Sequence, residues 1–217
     1  MSIEPADGCE LCPRLAEFRR ANVAALPGYF NRPVPSFGGV DARLLVVGLA
    51  PGLKGANRTG RPFTGDYAGE LLYSTLLDFG FAIGTYRADP GDGLVLVDCM
   101  ITNAVRCVPP QNKPTGEEAA TCRRFLAAQI TGLPRLRVIV ALGHISHDNV
   151  LGAIGARRAA FKFAHGAAHA LGHGRTLIDS YHCSRYNTNT GVLTEAMFGE
   201  VFAKAKALLQ PAGDRRE

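Results

Sequence analysis

The sequence predicts a single α/β domain with a central, mainly parallel, four-stranded sheet that carries helices on both faces. Short apolar runs alternate with longer segments of helical periodicity, and no internal repeat or low-complexity run interrupts this alternation. The chain has 217 residues, of which 47% are hydrophobic and 20% charged, so it is long enough to bury a sizeable core. We expect the domain to cover residues 1–210 and a polar tail to follow at 211–217.

The first elements are one helix and one buried strand. Residues 9–25 place Leu11, Leu15 and Phe18 at helical spacing, which predicts a helix. The next residues, up to Gly39, are rich in proline and glycine and predict an irregular connection. The continuously apolar run at 43–48 is typical of a parallel strand buried on both faces.

A long loop separates this strand from the second helix. Residues 48–65 contain five glycines and two prolines, which predicts an extended loop. An amphipathic helix is expected at 67–79, with Asp66 in the position of an N-cap. A second buried strand is predicted at 94–103, because this segment is again mostly apolar.

The last part of the chain continues the alternation. A helix is predicted at 115–130, because Thr115 is followed three residues later by Glu118, the pattern of a capping box. The four remaining predicted elements are a strand at 137–142, a helix at 144–154, a strand at 175–180 and a helix at 194–209.

Charge and hydropathy narrow the classes of function. Lys and Arg number 24 against 19 Asp and Glu, a net charge of +5, which permits a polyanionic partner but is equally typical of a merely basic soluble enzyme. No stretch is apolar enough to span a membrane, so no membrane partner is expected. The first twelve residues do not resemble a signal peptide, so we expect a cytoplasmic protein.

Four of the six cysteines form a pattern. Cys9 and Cys12 are a close pair, and Cys107 and Cys122 form a wider pair much further along the chain. Four thiolates suit either zinc or an iron–sulfur cluster, whereas the alternative is that they are buried small hydrophobes. Cys99 lies in an apolar strand, where core packing is expected.

Ligands of parallel sheets bind outside the carboxyl ends of the strands, so the residues that follow the strands are candidates for a site. The Gly-bounded segment 48–52 allows a ligand to approach the backbone, but it is neither a P-loop nor a dinucleotide fingerprint. Asn103 offers a donor and an acceptor that suit a nucleobase edge, or it forms a turn. Phe63, in a polar loop, either stacks on a ligand or fills the core.

His182 follows the last predicted strand. A neutral histidine can donate a hydrogen bond to charge that develops on a leaving group. Three residue types that commonly contact phosphates come directly after it: Ser184, Arg185 and Asn187. Three other histidines, His165, His169 and His173, are spaced by four, but no carboxylate completes an obvious metal site, and we expect structural or exposed roles for them.

In combination these segments resemble the uracil-DNA glycosylase superfamily, in particular its iron–sulfur members and most of all family 5, also called type b. The resemblance extends from residue 9 to about residue 202. Each motif alone is weak, but all of them occur in order and with four cysteines at the spacing of the family. The motifs are GLAPG at 48–52, NRTGRPFTGD at 57–66, ITN at 101–103, RCVPP at 106–110, SYHCSR at 180–185 and NTNTG at 187–191.

The resemblance implies a monofunctional glycosylase that initiates base excision repair by hydrolysing the N-glycosidic bond of flipped-out uracil in DNA. Phe63 would stack on the base, Asn103 would read its amide edge, and His182 would stabilise the anionic leaving base. The remaining substrate-binding residues would be Gly48, Leu49, Ala50 and Pro51. A [4Fe–4S] cluster held by Cys9, Cys12, Cys107 and Cys122 would be structural, and no ligand role is implied for Cys183.

One departure from other superfamily members concerns water activation. Many of them carry an acidic or amide residue where this chain has Ala50. The absence of such a residue is itself typical of family 5. Asp66, the nearest carboxylate in the loop, is the candidate to orient water or to stabilise the cationic sugar, with helix N-capping as the alternative role. Arg58, Arg61 and Arg185 are expected to contact DNA phosphates.

Several hypotheses remain open. The resemblance also implies excision of other deaminated bases, such as hypoxanthine. As an alternative, the chain is a non-catalytic or tight uracil-DNA-binding member of the same superfamily. A third hypothesis is a zinc-stabilised hydrolase of small nucleotides. A monomer is expected, because repair glycosylases of this size work alone.

Overall fold

The described residues of this computed structural model, 3–210, form helices and strands in the predicted alternation. The tail expected at 211–217 lies outside them. The helices are α1 Pro13–Ala25, α2 Ala56–Thr59, α3 Tyr67–Asp78, α4 Gly116–Gly132, α5 His144–Ala153, α6 Arg185–Asn189 and α7 Glu195–Leu209. The strands are β1 Phe37–Gly38, β2 Leu44–Gly48, β3 Ala82–Ile83, β4 Val95–Leu96, β5 Cys99–Asn103, β6 Val138–Leu142, β7 Ala168–Gly172 and β8 Arg175–Ser180.

The main sheet has the strand order β1-β5-β2-β6-β8-β7. The four inner strands are parallel, as predicted, but an antiparallel strand is added at each edge, so the expected count of four strands is wrong and the sheet has six. The edge strands lack an apolar run, which explains why the sequence pattern missed them. β1 has only two residues, and β7 alternates between exposed and half-buried positions.

The sheet is covered on both faces, which explains the continuously apolar strands. Leu44 and Val46 of β2 face a core that includes residues of α3 and α7, whereas Leu45 and Val47 face a second core under α4 and α5. Because successive side chains of a strand point to opposite faces, a strand between two helix layers must be apolar throughout.

The local capping signals are confirmed, but the second predicted strand is interrupted. Asp66 accepts a hydrogen bond from Gly69 N at 3.2 Å, and the Thr115–Glu118 capping box is reciprocal. The segment expected to form one strand at 94–103 is split into β4 and β5 at Asp98, which has a φ of 52°. The Asp98 carboxylate instead accepts from the backbone N of Arg43 at 3.0 Å and from its Nε at 2.6 Å.

The parallel strands bring their carboxyl ends to one edge of the sheet. Gly48 at the end of β2 lies opposite Asn103 at the end of β5, and Leu142 of β6 lies opposite Ser180 of β8. The segments that were expected to form the site therefore leave the sheet side by side. In residues 3–210, the longest apolar helical segment falls short of what a membrane crossing requires.

Candidate active site

An open cleft of about 340 Å³ lies at the carboxyl edge of the sheet. It brings together most of the residues that the sequence singled out, although Gly48, Arg58, Arg61 and Asn187 are not part of its wall. The cleft is lined by Leu49, Ala50, Pro51, Gly52, Ala56, Phe63, Asp66, Tyr67, Ala68, Asn103, Asn112, His182, Ser184 and Arg185.

The floor of the cleft depends on the missing side chain of Gly48. A Cβ atom at this position would overlap Asn103 Oδ1 and would lie 2.5 Å from Phe63 Cζ. The Asn103 side chain is only 3% exposed, and its Oδ1 has no hydrogen-bond partner among the described residues. Since buried polar atoms are normally paired, this unpaired acceptor points to a ligand that supplies a donor.

Phe63 is held in a strained backbone conformation. Its φ is 52°, in the left-handed region that costs a side-chain-bearing residue on the order of 1 kcal/mol or more. Its carbonyl accepts from the Tyr86 hydroxyl at 3.2 Å, and the neighbouring Pro62 carbonyl accepts from the Tyr73 hydroxyl at 2.7 Å. A Cβ atom on Gly69 would collide with the same Phe63 carbonyl. The surrounding residues therefore fix the ring in the cleft wall.

His182 faces this ring across the cleft. The two ring centroids are 6.1 Å apart, with an interplanar angle of 30°. Burial lowers the pKa of His182 from its ordinary value to about 4, so the imidazole is neutral near pH 7. Asn187, which was expected to contact DNA, uses its Nδ2 to donate to the His182 carbonyl at 2.8 Å. Asn187 thus fixes the backbone of His182 rather than presenting its amide to the cleft.

Tyr181, which lies between β8 and His182, is held by His165. The sequence predicted a structural or exposed role for this histidine. The backbone N of Tyr181 donates to His165 Nδ1 at 3.1 Å. The other ring nitrogen of His165 then carries the proton and donates to the Met197 carbonyl at 3.2 Å. His165 is therefore structural, and it ties the residue before His182 to α7.

A largely buried cluster of one carboxylate and two histidines adjoins Tyr181 through β8. Asp179 of β8 places Oδ1 2.7 Å from His147 Nδ1 and Oδ2 3.0 Å from His169 Nε2. Sequence spacing found no carboxylate for the histidines because Asp179 and His147 come from separate elements. The ligand atoms of the three residues lie within 4.8 Å of one another, a spacing that could hold a metal ion. His173 is not part of this group.

The cluster is held on both sides. His147 Nε2 lies 3.0 Å from the Phe161 carbonyl, so the ring is fixed between this carbonyl and the Asp179 carboxylate. Asp179 Oδ2 also accepts from Ala164 N at 3.3 Å. The cluster therefore pins the loop that carries His165.

Asp66 has the N-cap role considered for it and also lines the cleft. Its Oδ1 caps α3, and its Oδ2 faces the backbone of Gly52 and Gly55 on the cleft side. Burial raises the pKa of this carboxyl, although backbone hydrogen bonds from Gly69 and Ala68 oppose the shift. The carboxylate thus borders the cleft and is anchored by the helix that it begins.

The arginines expected to contact DNA divide into two kinds. Arg61 is only 4% exposed, and its guanidinium forms two 2.8 Å bonds to the buried Asp92 carboxylate. This corrects the expectation for Arg61, because a guanidinium committed to a buried ion pair is not available to a phosphate. Arg58 and Arg185 are exposed, and Arg185 lies over the Tyr67 ring at 5.1 Å.

The four patterned cysteines line a small enclosed cavity away from the cleft. Cys9 and Cys12 precede α1, Cys107 follows β5 and Cys122 lies on α4. Burial, with contributions from the neighbouring thiols, raises the pKa of Cys12, Cys107 and Cys122 to about 11. Such thiols ionise when a metal centre supplies positive charge. The donor set therefore fits a soft-metal centre, either zinc or an iron–sulfur cluster.

The remaining two cysteines belong to the core. Cys99 and Cys183 are buried in the core, outside this cavity, and Cys183 donates to the Ala68 carbonyl at 3.5 Å.

Comparisons with known proteins agree with this geometry. A model of the uracil DNA glycosylase superfamily matches residues 35–206. The type-5 uracil-DNA glycosylase of Thermus thermophilus is 47% identical over 211 residues, which cover 95% of this chain and 96% of the relative. That of Pyrobaculum aerophilum is 41% identical, with 92% and 88% covered. A type-4 uracil-DNA glycosylase of the same organism is 34% identical, with 69% and 62% covered.

Proposed function

The chain belongs to the uracil DNA glycosylase superfamily and to its type-5 group, and from this premise we propose how it excises uracil. It is a uracil-DNA glycosylase, a hydrolase of N-glycosyl bonds, and acts in DNA repair. The nucleotide is flipped out of the DNA into the cleft, because the glycosidic bond is not accessible inside a base stack. The observation that carries this proposal is the unpaired, buried Oδ1 of Asn103 at the cleft floor.

Asn103 and Phe63 recognise the base. Asn103 Oδ1 accepts from the ring N–H of uracil while its amide N–H₂ donates to a ring carbonyl, which is the pairing that a planar amide edge offers. Phe63 provides the apolar face on which the base lies, and its rigid backbone keeps that face in place. Leu49, Ala50 and Pro51 line the cleft beside them, and Gly48 leaves room for both side chains.

His182 stabilises the leaving base. A neutral imidazole donates a hydrogen bond to the oxygen on which negative charge develops as the glycosidic bond lengthens. The lowered pKa of His182 supports this role, because the group stays neutral at the pH at which it acts. The products are the free base and an abasic sugar, formed when water adds to the oxocarbenium-like centre. No lysine lines the described cleft, which fits a glycosylase without lyase activity.

Water positioning falls to Asp66. Ala50 cannot bind or activate water, and Asp66 is the carboxylate on the cleft wall. Its negative charge would orient the nucleophile and stabilise the cationic sugar. Arg58, Ser184 and Arg185 contact the phosphates on either side of the flipped nucleotide, whereas Arg61 holds the loop through Asp92.

Cys9, Cys12, Cys107 and Cys122 hold a [4Fe–4S] cluster. The support is their convergence on one cavity, which all four cysteines line, and the spacing of the four cysteines in the sequence. Arg19 donates to Cys107 Sγ at 3.4 Å, a contact that would stabilise a thiolate. The cluster joins the N-terminal residues to α4 and has a structural role. We place the enzyme in the cytoplasm as a monomer, where thiols remain reduced.

The substrate range extends beyond uracil to hypoxanthine and similar deaminated bases. Hypoxanthine has a ring N–H next to a carbonyl, which is the edge that Asn103 reads. The cleft is open, and its polar readers at the base end are Asn103 and His182. Such a site lacks the features that would reject a larger purine ring.

The test is base excision from labelled oligonucleotides that carry one uracil or one hypoxanthine, single-stranded and opposite each base. Alkali reveals the abasic sites. We expect alkali-dependent cleavage at uracil and slower cleavage at hypoxanthine. Binding without cleavage by protein with full iron content would overturn the enzymatic proposal and favour a uracil-DNA-binding protein. Cleavage restricted to uracil would remove the wider substrate range.

A further inference from the structure

Most of the net positive charge of the chain comes from one segment. Between Asn149 and Ile178 the sequence contains no Asp or Glu, but it contains Arg157, Arg158, Lys162 and Arg175. These thirty residues therefore account for four of the five net positive charges. A charge asymmetry of this size within a small domain indicates a surface that attracts anions.

The fold brings part of this segment to the catalytic edge. After α5 the chain passes through a short 3-10 turn at Arg158–Ala160 and returns to the carboxyl edge of the sheet. There the Phe163 ring lies 5.4 Å from the ring of His144 and 6.2 Å from the ring of Tyr181. Tyr181 directly precedes His182, so the basic segment ends beside the cleft.

A groove of about 560 Å³ runs along this surface between α5 and residues 158–163. His144, Arg158 and Lys162 line it, and Asp148 is its acidic residue. Arg158 Nη1 lies 3.3 Å from Asp148 Oδ2, so this carboxylate offsets one positive charge and fixes the arginine. Arg157 and Lys162 are exposed, and neither has an ion-pair partner within the part of the chain described. Lys162 lines the groove, and Arg157 precedes the lining residue Arg158 in the chain. The net positive charge of the surface therefore comes mainly from these two side chains.

We propose that this groove binds the phosphodiester backbone of the substrate DNA, next to the nucleotide in the cleft. The inference rests on the proposed function, because it assigns further contacts to the same bound DNA. Arg157 and Lys162 neutralise phosphates, and Arg158 lies in the groove wall, held by Asp148. The contacts extend the interface beyond Arg58, Ser184 and Arg185 and carry no base specificity.

The test compares two double variants that remove the same charge. Arg157→Ala with Lys162→Ala changes the groove. Arg175→Ala with Lys206→Ala is the matched control, since Arg175 begins β8 and Lys206 lies near the end of α7, both towards the opposite edge of the sheet. The ligand is a duplex with an uncleavable abasic-site analogue, and its Kd is measured between about 50 and 200 mM salt.

We expect the groove variant to reduce the slope of log Kd against log salt by about 1.8, since each phosphate contact contributes about 0.9. The ratio of the variant's Kd to the wild-type Kd should accordingly be about 12-fold smaller at 200 mM than at 50 mM salt. The control variant should keep the wild-type slope. Single-turnover excision from a short single-stranded oligonucleotide at saturation should be unchanged in the control variant.

Equal slopes for the groove variant and the wild type would overturn the proposal, as would an equal loss in the control variant. A failure of the proposed function is distinguishable, because it would appear as absent excision by the wild-type enzyme in the same series. Binding slopes are measured on an uncleavable duplex and do not depend on excision.

Discussion

The cleft beside Asn103 and the cavity between the four cysteines lie on two sides of the same segment. Ala50 lines the cleft and also packs against the apolar cluster that contains Cys12, Cys107 and Cys122. The cleft is open, and its wall contains a buried unpaired acceptor, a strained aromatic residue and a neutral histidine. The cavity is enclosed, and its lining is apolar apart from the thiols themselves, Arg106 and Thr121.

The difference indicates how each region handles its ligand. The unpaired Asn103 oxygen and the strained Phe63 backbone both lower the stability of the fold. Proteins retain such unfavourable features at sites where a ligand binds and leaves. Four thiols that line one small cavity suit a group that is installed once and stays. The contrast predicts that changes in the cavity affect folding, whereas changes in the cleft affect the rate.

The largest expected effect is the replacement of a cavity cysteine. Cys122→Ala should lose the bound iron and several kcal/mol of stability, on the order of the loss seen when a metal-dependent domain loses its metal. Iron analysis and urea unfolding measure both. The matched control is Cys183→Ala, a buried cysteine outside the cavity, which should keep full iron content. Stoichiometric iron in Cys122→Ala would contradict its assignment as a ligand.

The next effect concerns the cleft. His182→Ala should lower the single-turnover excision rate about 10²- to 10³-fold, the range found when one donor to a developing anion is removed. Iron content should be unchanged, because His182 belongs to the cleft alone. A rate within threefold of the wild type would exclude His182 from leaving-group stabilisation.

Gly48→Ala tests the cleft floor without removing a functional group. The new Cβ would overlap Asn103 Oδ1 and Phe63, so both side chains must move. Misplacement of this kind can lower the rate about 10²-fold, and iron content should stay full. Gly28→Ala is the control, since a Cβ there meets no atom within 4 Å. An unchanged rate in Gly48→Ala would show that the observed floor geometry is not required.

Acid should weaken the fold through His182. Because its pKa is about 4 in the folded protein and has the ordinary histidine value of 6.5 when the side chain is exposed by unfolding, the unfolded chain binds more protons between these values. The contribution of neutral His182 to the free energy of unfolding is therefore complete above about pH 6.5. It decreases as the pH falls and is about 2 kcal/mol smaller at about pH 5. Urea unfolding near pH 7 and pH 5 measures this decrease. In His182→Gln, the free energy of unfolding should fall by about 2 kcal/mol less between these two pH values than in the wild type. An equal decrease in the variant would contradict the buried, neutral state of His182.

The smallest expected effect belongs to Asp66→Asn. Asparagine caps a helix about as well as aspartate, so α3 and the unfolding free energy should be preserved. If the carboxylate orients water, the single-turnover rate should fall by up to about tenfold, a modest share of the barrier. An unchanged rate would leave Asp66 with the N-cap role alone.

Much of the fold could be predicted because its signals are local. The apolar runs at β2, β6 and β8 identified the parallel core, and Asp66 and Thr115 identified two helix starts. The edge strands β1 and β7 were missed because half-exposed strands carry no apolar run. The residues of the cleft were identified from motifs that follow the strands, and the topology of a parallel sheet brings such segments together.

The sequence by itself determined the fold class, the four-cysteine pattern and the residues that follow each parallel strand, because periodicity and spacing are written along the chain. Only the tertiary structure decided which polar groups have partners. Arg61 pairs with Asp92, thirty-one residues away, and Asp179 joins His147 and His169 from two other elements. It also left Asn103 Oδ1 unpaired. Such outcomes depend on burial and on atoms brought from distant segments, which no local pattern encodes.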